Sequence, residues 1–220
     1  MQNIKTKENG SRKKEETKMG EGVINKSVGE FSKKVDVVQT IIIFLVSLFV
    51  PTFLGEILKS VFATNSVVVT NSQIIIGSIV NTALIMAALN LKGWKKILGV
   101  VTMPSIATIL GGYVFKTASV YMVYMIPAIW LGNFALVYSF KFIMLAKEKN
   151  YFLAGIVGII VKVAVIFGCF SILKAFGIFP NKLVSTLQVA MSSTQAITAT
   201  IGMIVSFAVL KLESRKDKEN

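Results

Sequence analysis

The sequence predicts an all-α membrane protein: a bundle of six transmembrane helices with both termini in the cytoplasm and a disordered basic N-terminal tail. Three observations predict this class. Hydrophobic residues make up 54% of the chain, they occur in blocks rather than in amphipathic stripes, and the basic residues lie in the tails and between the blocks. A spanning helix needs about 20 mainly apolar residues. Six segments reach or approach that length: 35–54, 73–91, 97–115, 120–145, 152–176 and 183–210.

These segments divide the chain into three regions. Residues 1–34 are rich in Lys, Glu, Gly and Ser, so we expect a disordered cytoplasmic tail that cannot bury enough apolar surface to become ordered. Residues 35–212 form the six-helix transmembrane domain. Residues 213–220 form a short charged tail, which we also expect in the cytoplasm.

The distribution of lysine sets the expected orientation. The formal net charge is +13, and the loops on the side of the N-terminus carry more basic residues than the opposite loops. Because positive residues accumulate in cytoplasmic loops, we interpret the charge as a signal of topology in a lipid bilayer rather than of nucleic-acid binding. Lys141 and Lys174 lie near helix ends, where a lysine can extend its ammonium to water, and we assign them no special role.

The composition excludes several kinds of chemistry. Cys169 is the single cysteine and histidine is absent, so we expect no metal site and no cofactor. Hydrolysis needs an activated nucleophile, and the sequence offers no Ser/His pair or paired carboxylates within its apolar segments. We therefore expect a protein that is not an enzyme. No nucleotide-binding loop is present either, so any ATP hydrolysis must come from partner proteins.

Lys162 is the first functional candidate because it lies in the middle of an otherwise apolar segment that contains no acidic residue. A cation at this depth costs roughly 2.5 to 3.5 kcal/mol, so it usually faces a cavity, a partner or a ligand. With a rise of about 1.5 Å per residue, polar groups from four spans fall at its level or further out. The predicted substrate-binding residues are Lys162, Asn133, Gln195, Gln188, Ser192 and Asn81.

This convergence predicts a ligand cavity that opens to the outside, and a lysine beside amide donors favours an anionic ligand. The alternative is that Asn, Gln, Ser and Thr join helices by hydrogen bonds without binding anything. Small residues such as Gly77, Gly132 and Gly158 are expected to permit close helix packing. Residues 54–72 form the longest predicted connection, which is either a lid over the cavity or a plain external loop.

Several blocks of the sequence resemble one known family. The six spans, the lysine-bearing fifth span and the blocks GSIVNTALIMAALNLKGW, IPAIWLGNFALVYSFK and MSSTQAITATIGMI are similar to the substrate-binding (S) components of energy-coupling factor transporters. The resemblance covers roughly residues 37–210. It implies a bacterial plasma-membrane subunit that captures a vitamin-like organic solute from outside, with residues 54–72 as its lid. It also implies two kinds of partner, a transmembrane coupling subunit and cytoplasmic ATPases.

Two other functions stay open. A stand-alone carrier or channel often has inverted repeats or several ionisable groups within the membrane, and we see neither in this sequence. A purely structural subunit of a membrane assembly would need no ligand at all. The carrier differs from the substrate-binding subunit in one testable respect, because only the carrier would transport its solute without an ATPase.

Overall fold

The computed structural model describes residues 22–28, 33–63, 65–111 and 119–219, and all the regular structure in them is helical. Ten α-helices follow one another, numbered here in chain order. They are α1 (Lys33–Phe49), α2 (Gly55–Val61), α3 (Val67–Thr70), α4 (Ser72–Asn90), α5 (Trp94–Gly111), α6 (Ser119–Met122), α7 (Ile126–Ser139), α8 (Tyr151–Ala175), α9 (Asn181–Met191) and α10 (Ser193–Glu219). Two π-helical segments, Val50–Leu54 and Phe140–Ala146, continue α1 and α7, and the 3-10 turn Val123–Met125 precedes α7.

Five helical stretches in the described residues are long and apolar enough to cross a membrane. They are Lys34–Val61, Ser72–Asn90, Val120–Ala146, Tyr151–Ala175 and Asn181–Leu212. The all-helical class and a multi-span membrane protein are thus supported. The segment at 97–115 is helical as far as Gly111, but α5 is not among the five stretches, and residues 112–118 lie outside the described part. A count of six spans and the orientation of the termini stay predictions.

Glycine allows the helices of the bundle to approach closely. The two most extensive helix pairings are α4 with α10 and α7 with α8. A methyl group on Gly77 would lie 2.8 Å from the Thr198 side chain, and one on Gly202 would lie 2.7 Å from Cβ of Asn81. A methyl group on Gly132 would lie 2.7 Å from the Ile166 side chain. The expectation that small residues permit close packing is confirmed, and these contacts bring polar side chains of different helices together.

Part of the N-terminal region packs against the bundle, which corrects the expectation of a disordered tail up to residue 34. Val23 is 5% exposed and Ile24 is fully buried. The Val28 amide donates a hydrogen bond to the Leu89 carbonyl (2.8 Å). The apolar pair Val23–Ile24 explains the difference, because it gives this segment surface to bury that the polar residues around it lack. Residues 1–21 and 29–32 lie outside the described part.

Lys141 also differs from its expectation, because its ammonium does not extend to water. The side chain is fully buried, and Nζ donates to the carbonyl oxygens of Lys26 (2.6 Å) and Leu91 (2.8 Å). Leu91 follows the last residue of α4, where carbonyl groups lack partners within the helix. Lys141 satisfies one of them and ties the N-terminal segment to the same place. We call this region, formed by residues 22–28, Leu91 and Lys141, the Lys141 end of the bundle.

The last predicted span, 183–210, is not one continuous helix. α9 ends at Met191 and α10 begins at Ser193, and Ser192 between them has φ −117° and ψ −93°, outside the helical region. The first predicted span is longer than expected, since helix continues through the π-helical segment to Val61. Pro51 lies in that segment, where π-helical geometry accommodates an interrupted hydrogen-bond ladder. The connection to the second span is correspondingly shorter than residues 54–72.

Candidate functional site

A cavity of about 90 Å³ of water-accessible space lies between α4, α5, α7, α8 and α10. One buried water needs roughly 10 to 15 Å³ of such space, so the cavity has room for several waters or a small solute. Four of the predicted binding residues line it: Asn81, Asn133, Lys162 and Gln195. Polar groups from four spans, which the sequence placed at similar depth, therefore line one cavity.

Lys162 places a buried ammonium at this cavity. The side chain is 2% exposed, and Nζ donates to Oδ1 of Asn81 at 2.5 Å. The long helix α8 carries it, and Asn150 caps the start of that helix by accepting a hydrogen bond from the Phe152 amide (2.7 Å). An ammonium has three donors. Asn81 is the one acceptor that the described residues give it, which leaves two donors for an occupant of the cavity.

Asn81 orients this ammonium and also joins two helices. Its Nδ2 donates to the Gly77 carbonyl (2.8 Å) and to the Thr198 hydroxyl (3.1 Å), which leaves Oδ1 directed to Lys162. Thr198 in turn donates to the Gln195 carbonyl (3.3 Å). The hydrogen bond between α4 and α10 supports the helix-joining role considered for Asn81. The same residue is part of the cavity wall, so the two roles coexist.

The break between α9 and α10 lies beside the cavity. Thr194 and Gln195, both in the first turn of α10, line the cavity. The first main-chain hydrogen bond of α10 runs from the Ala196 amide to the Ser192 carbonyl (3.1 Å), and Gln195 Nε2 donates to the Ala190 carbonyl across the break (3.2 Å). The amides before Ala196 have no acceptor within their own helix. A helix N-terminus also carries a partial positive charge of about one half.

Two further residues complete the polar wall on α5 and α7. Ser105 is 6% exposed and lines the cavity, and its hydroxyl has no hydrogen-bond partner among the described residues. Asn133 donates to the Val101 carbonyl (3.3 Å), which joins α7 to α5. A buried hydroxyl without a partner costs free energy, so Ser105 is a group that an occupant of the cavity would satisfy.

Two predicted site residues lie outside the cavity. Gln188 is exposed and accepts a hydrogen bond from the ammonium of Lys174 (3.3 Å), and Ser192 donates to the Gln188 carbonyl (2.6 Å). The helical spacing of residues 188, 192 and 195 predicted one continuous stripe. The non-helical backbone at Ser192 interrupts that stripe, because residues before and after it no longer follow the same helical spacing. The described residues of 54–72 do not line the cavity either, so its role as a lid stays untested.

Sequence reasoning did not select Gln73, Ser105, Thr194 and Thr198, all of which line the cavity. Thr194 and Thr198 lie next to predicted residues, and the helical spacing of polar residues in the sixth predicted span could have indicated them. Ser105 follows Pro104 as a single small polar residue, and no periodic partner marks it. Gln73 lies in the first turn of α4, where a polar side chain is typical of a helix end.

The cavity carries positive charge without a protein counter-ion in the part of the chain that the structure describes. No Asp or Glu lines it. Asp36 instead accepts a hydrogen bond from Lys96 between α1 and α5. The described residues also contain no group of three or more His, Cys, Asp or Glu that could hold a metal ion. The chemistry that these side chains offer is therefore the binding of an anion by donor groups.

Comparisons of this chain with protein-family models, with curated proteins and with solved structures found no match.

Proposed function

We propose that this chain is the substrate-capturing membrane subunit of an uptake transporter, and that it binds a small, anionic organic solute in the cavity at Lys162. The observation that carries the proposal is a fully buried ammonium that lines a cavity and has one hydrogen-bond acceptor within the described residues. Burying a charge without a counter-ion is costly. An anionic solute would supply the missing charge and form short charge-assisted hydrogen bonds with the two remaining donors.

The partners of this subunit follow from the resemblance to the S components of energy-coupling factor transporters. We propose that the chain lies in a bacterial plasma membrane and associates with a transmembrane coupling subunit and with cytoplasmic ATPases. Five helical stretches that can cross a membrane support a location in a membrane. The absence of a nucleotide-binding loop from the sequence supports the second part of the proposal, because energy would have to come from another chain.

Native mass spectrometry of the gently purified full chain tests the binding function. We expect a co-purified small molecule on the wild-type protein and none on Lys162→Met, which keeps the length and apolar character of the side chain but removes the charge. Lys174→Met is the matched control, because Lys174 is exposed and lies outside the cavity. It should retain the bound molecule. Equal occupancy in the two variants would contradict the assignment of Lys162, and no bound molecule in any preparation would favour a structural assembly subunit.

A stand-alone solute carrier is the second candidate, and the break between α9 and α10 favours it. Secondary transporters often bind substrates at interrupted helices whose half-helix N-termini face anionic groups. Uptake into proteoliposomes that contain this chain alone separates the two functions. Solute accumulation or exchange without any ATPase would indicate the carrier. Binding without flux, with transport restored by a coupling subunit and ATPases, would indicate the capturing subunit.

A further inference from the structure

We infer that the solute is a small monocarboxylic acid whose carboxylate lies between the Lys162 ammonium and the N-terminal turn of α10. This inference rests on the proposed function and names the chemical class of its substrate. Three independent features of the cavity carry it: donors on two sides, a charge that matches one negative group, and an apolar wall beside them.

The donors lie on different helices. Lys162 projects from α8 with two donors left, while Thr194 and Gln195 bring the first turn of α10 to the same cavity. A carboxylate has two oxygens and can accept hydrogen bonds from both sides at once. The unpartnered Ser105 hydroxyl on α5, 6% exposed, gives a third donor in the same wall. One oxygen on the ammonium and the other at the helix N-terminus would use donors that the described residues leave unused.

The charge of the site selects a single negative group. Protonated Lys162 contributes one positive charge. The partial positive charge at the start of α10 is offset by the partial negative charge at the end of α9, which lies one residue away in the chain. No acidic side chain among the described residues lowers this charge, and no second cation adds to it at the cavity. A monoanion is therefore neutralised. A dianion would keep part of its charge buried without a partner, which costs binding free energy.

The remaining wall favours an apolar body on the acid. Met122, Ile126 and Ile129 line one side of the cavity, and Ile76 and Val80 of α4 line another. Apolar contact with these side chains would stabilise an apolar body by removing its surface from water. Inorganic phosphate cannot gain this contribution, and near neutral pH it carries between one and two charges. The cavity thus fits a short aliphatic or aromatic monocarboxylate.

Binding of radiolabelled hexanoate to the purified full chain in lipid nanodiscs tests the inference. Empty nanodiscs and Lys162→Met nanodiscs measure partitioning into lipid. We expect saturable binding to the wild type, and competition that is at least about tenfold weaker for hexanamide, adipate and phosphate, a difference of about 1.4 kcal/mol. Hexanamide keeps the shape and removes the charge, while adipate adds a second charge. Absence of saturable hexanoate binding, or equal competition by hexanamide or adipate, would overturn the inference.

Two variants test the arrangement of the donors. Thr194→Pro removes a main-chain N–H in the first turn of α10, where proline is tolerated, and Thr194→Val keeps that N–H. We expect hexanoate affinity to fall several-fold further in Thr194→Pro than in Thr194→Val, since both variants lose the hydroxyl at the cavity wall and the proline variant alone also loses the main-chain N–H. Ser105→Ala should also weaken binding, and it does not depend on how Thr194→Pro folds. Wild-type affinity in Ser105→Ala together with equal affinities in the two Thr194 variants would overturn the arrangement.

The failure of this inference is distinguishable from failure of the proposed function. A co-purified molecule that Lys162→Met loses, but that is neutral or carries two negative charges, would leave the function in place and overturn the monocarboxylate. Unchanged binding of the co-purified molecule and of hexanoate in Lys162→Met would contradict both.

Discussion

Two lysines are almost completely buried in this bundle, and their surroundings differ. Lys141 donates to two main-chain carbonyls, those of Lys26 and Leu91, whereas Lys162 donates to one side-chain amide, that of Asn81, and lines a cavity. Asn81 and Leu91 are ten residues apart, so the two sites are separated by roughly 15 Å along the axis of α4 and its end. Among the described residues, the first lysine has two acceptors and one donor left, whereas the second has one acceptor and two donors left.

The difference shows that burial alone does not identify a binding lysine. Lys141 joins two chain segments that are 115 residues apart, and its ammonium satisfies a buried carbonyl at the end of α4. Its hydrogen bonds stabilise the fold. Lys162 stabilises the fold little by itself, because its charge has no counter-ion among the described residues. An anion in the cavity would supply that counter-ion and would lower the free energy of burying the ammonium.

The largest expected effect separates the two lysines by stability. Lys141→Met leaves the carbonyls of Lys26 and Leu91 without their donor. The Leu91 carbonyl is buried, and an unsatisfied buried group costs about 1 to 3 kcal/mol, whereas Lys26 is exposed and its carbonyl has access to water. The free energy of unfolding should therefore fall markedly. Lys162→Met should leave it unchanged or raise it in the absence of ligand, because removing an unneutralised buried charge offsets the loss of the donor to Asn81 Oδ1. Unfolding of the purified protein in mixed detergent micelles measures both variants.

Limited proteolysis provides a second measurement of the same comparison. The N-terminal segment should become more sensitive to trypsin at Lys26 in Lys141→Met, because the hydrogen bond to the Lys26 carbonyl is lost and this residue keeps its weaker, exposed bond from Nζ to the Leu145 carbonyl (3.2 Å). It should stay protected in Lys162→Met. Equal stability and equal protection in the two variants would mean that Lys141 does not hold the segment.

The sequence predicted the burial of Lys162 but not that of Lys141, and there is a physical reason for the difference. A lysine in the middle of an apolar span has no route to water, so its position alone indicates a special role. A lysine near a helix end can reach water. Only the fold shows that the ammonium of Lys141 instead contacts the carbonyl oxygens of Lys26 and Leu91. The apolar blocks likewise predicted most helices, because hydropathy is a local property.

The break at Ser192 could not be read from the same pattern. The block around it, MSSTQAITATIGMI, contains no proline or glycine near Ser192, the residues that usually interrupt a helix. Gln195 Nε2 donates to the Ala190 carbonyl across the break, but a glutamine at this spacing is equally compatible with a continuous helix, so the residues alone do not indicate the interruption. Gln188 was therefore placed in the site and Ser105 was not, since periodicity gives a face but not what packs on it.

A glycine substitution should disturb one lysine site and leave the other intact. A methyl group at Gly202 would lie 2.7 Å from Cβ of Asn81 and 2.9 Å from the Thr82 amide nitrogen, so Gly202→Ala must displace the acceptor of Lys162. Overpacking of this kind costs about 1 to 3 kcal/mol. We expect a lower thermal midpoint and weaker ligand binding, while Lys26 stays protected from trypsin.

Gly168→Ala is the matched control, because no atom lies within 4 Å of the added methyl group. It should leave ligand binding unchanged and keep stability equal or slightly higher, since alanine favours a helix over glycine by up to about 1 kcal/mol. Wild-type ligand affinity in Gly202→Ala would mean that the position of Asn81 does not control the Lys162 ammonium.

The smallest expected effect concerns a third lysine, which pairs with an amide at the surface. Lys174 donates to Gln188 Oε1 at 3.3 Å, the same pair of groups as Lys162 and Asn81, but both side chains are exposed. Water can replace either partner, so Gln188→Ala should change the free energy of unfolding by less than about 0.5 kcal/mol and leave ligand affinity unchanged. Asn81→Ala, which removes the buried acceptor and its bond to Thr198, should reduce both quantities. Equal losses of ligand affinity in the two variants would mean that the solute contacts α9 at Gln188, as the helical spacing predicted, rather than the cavity between α4 and α8.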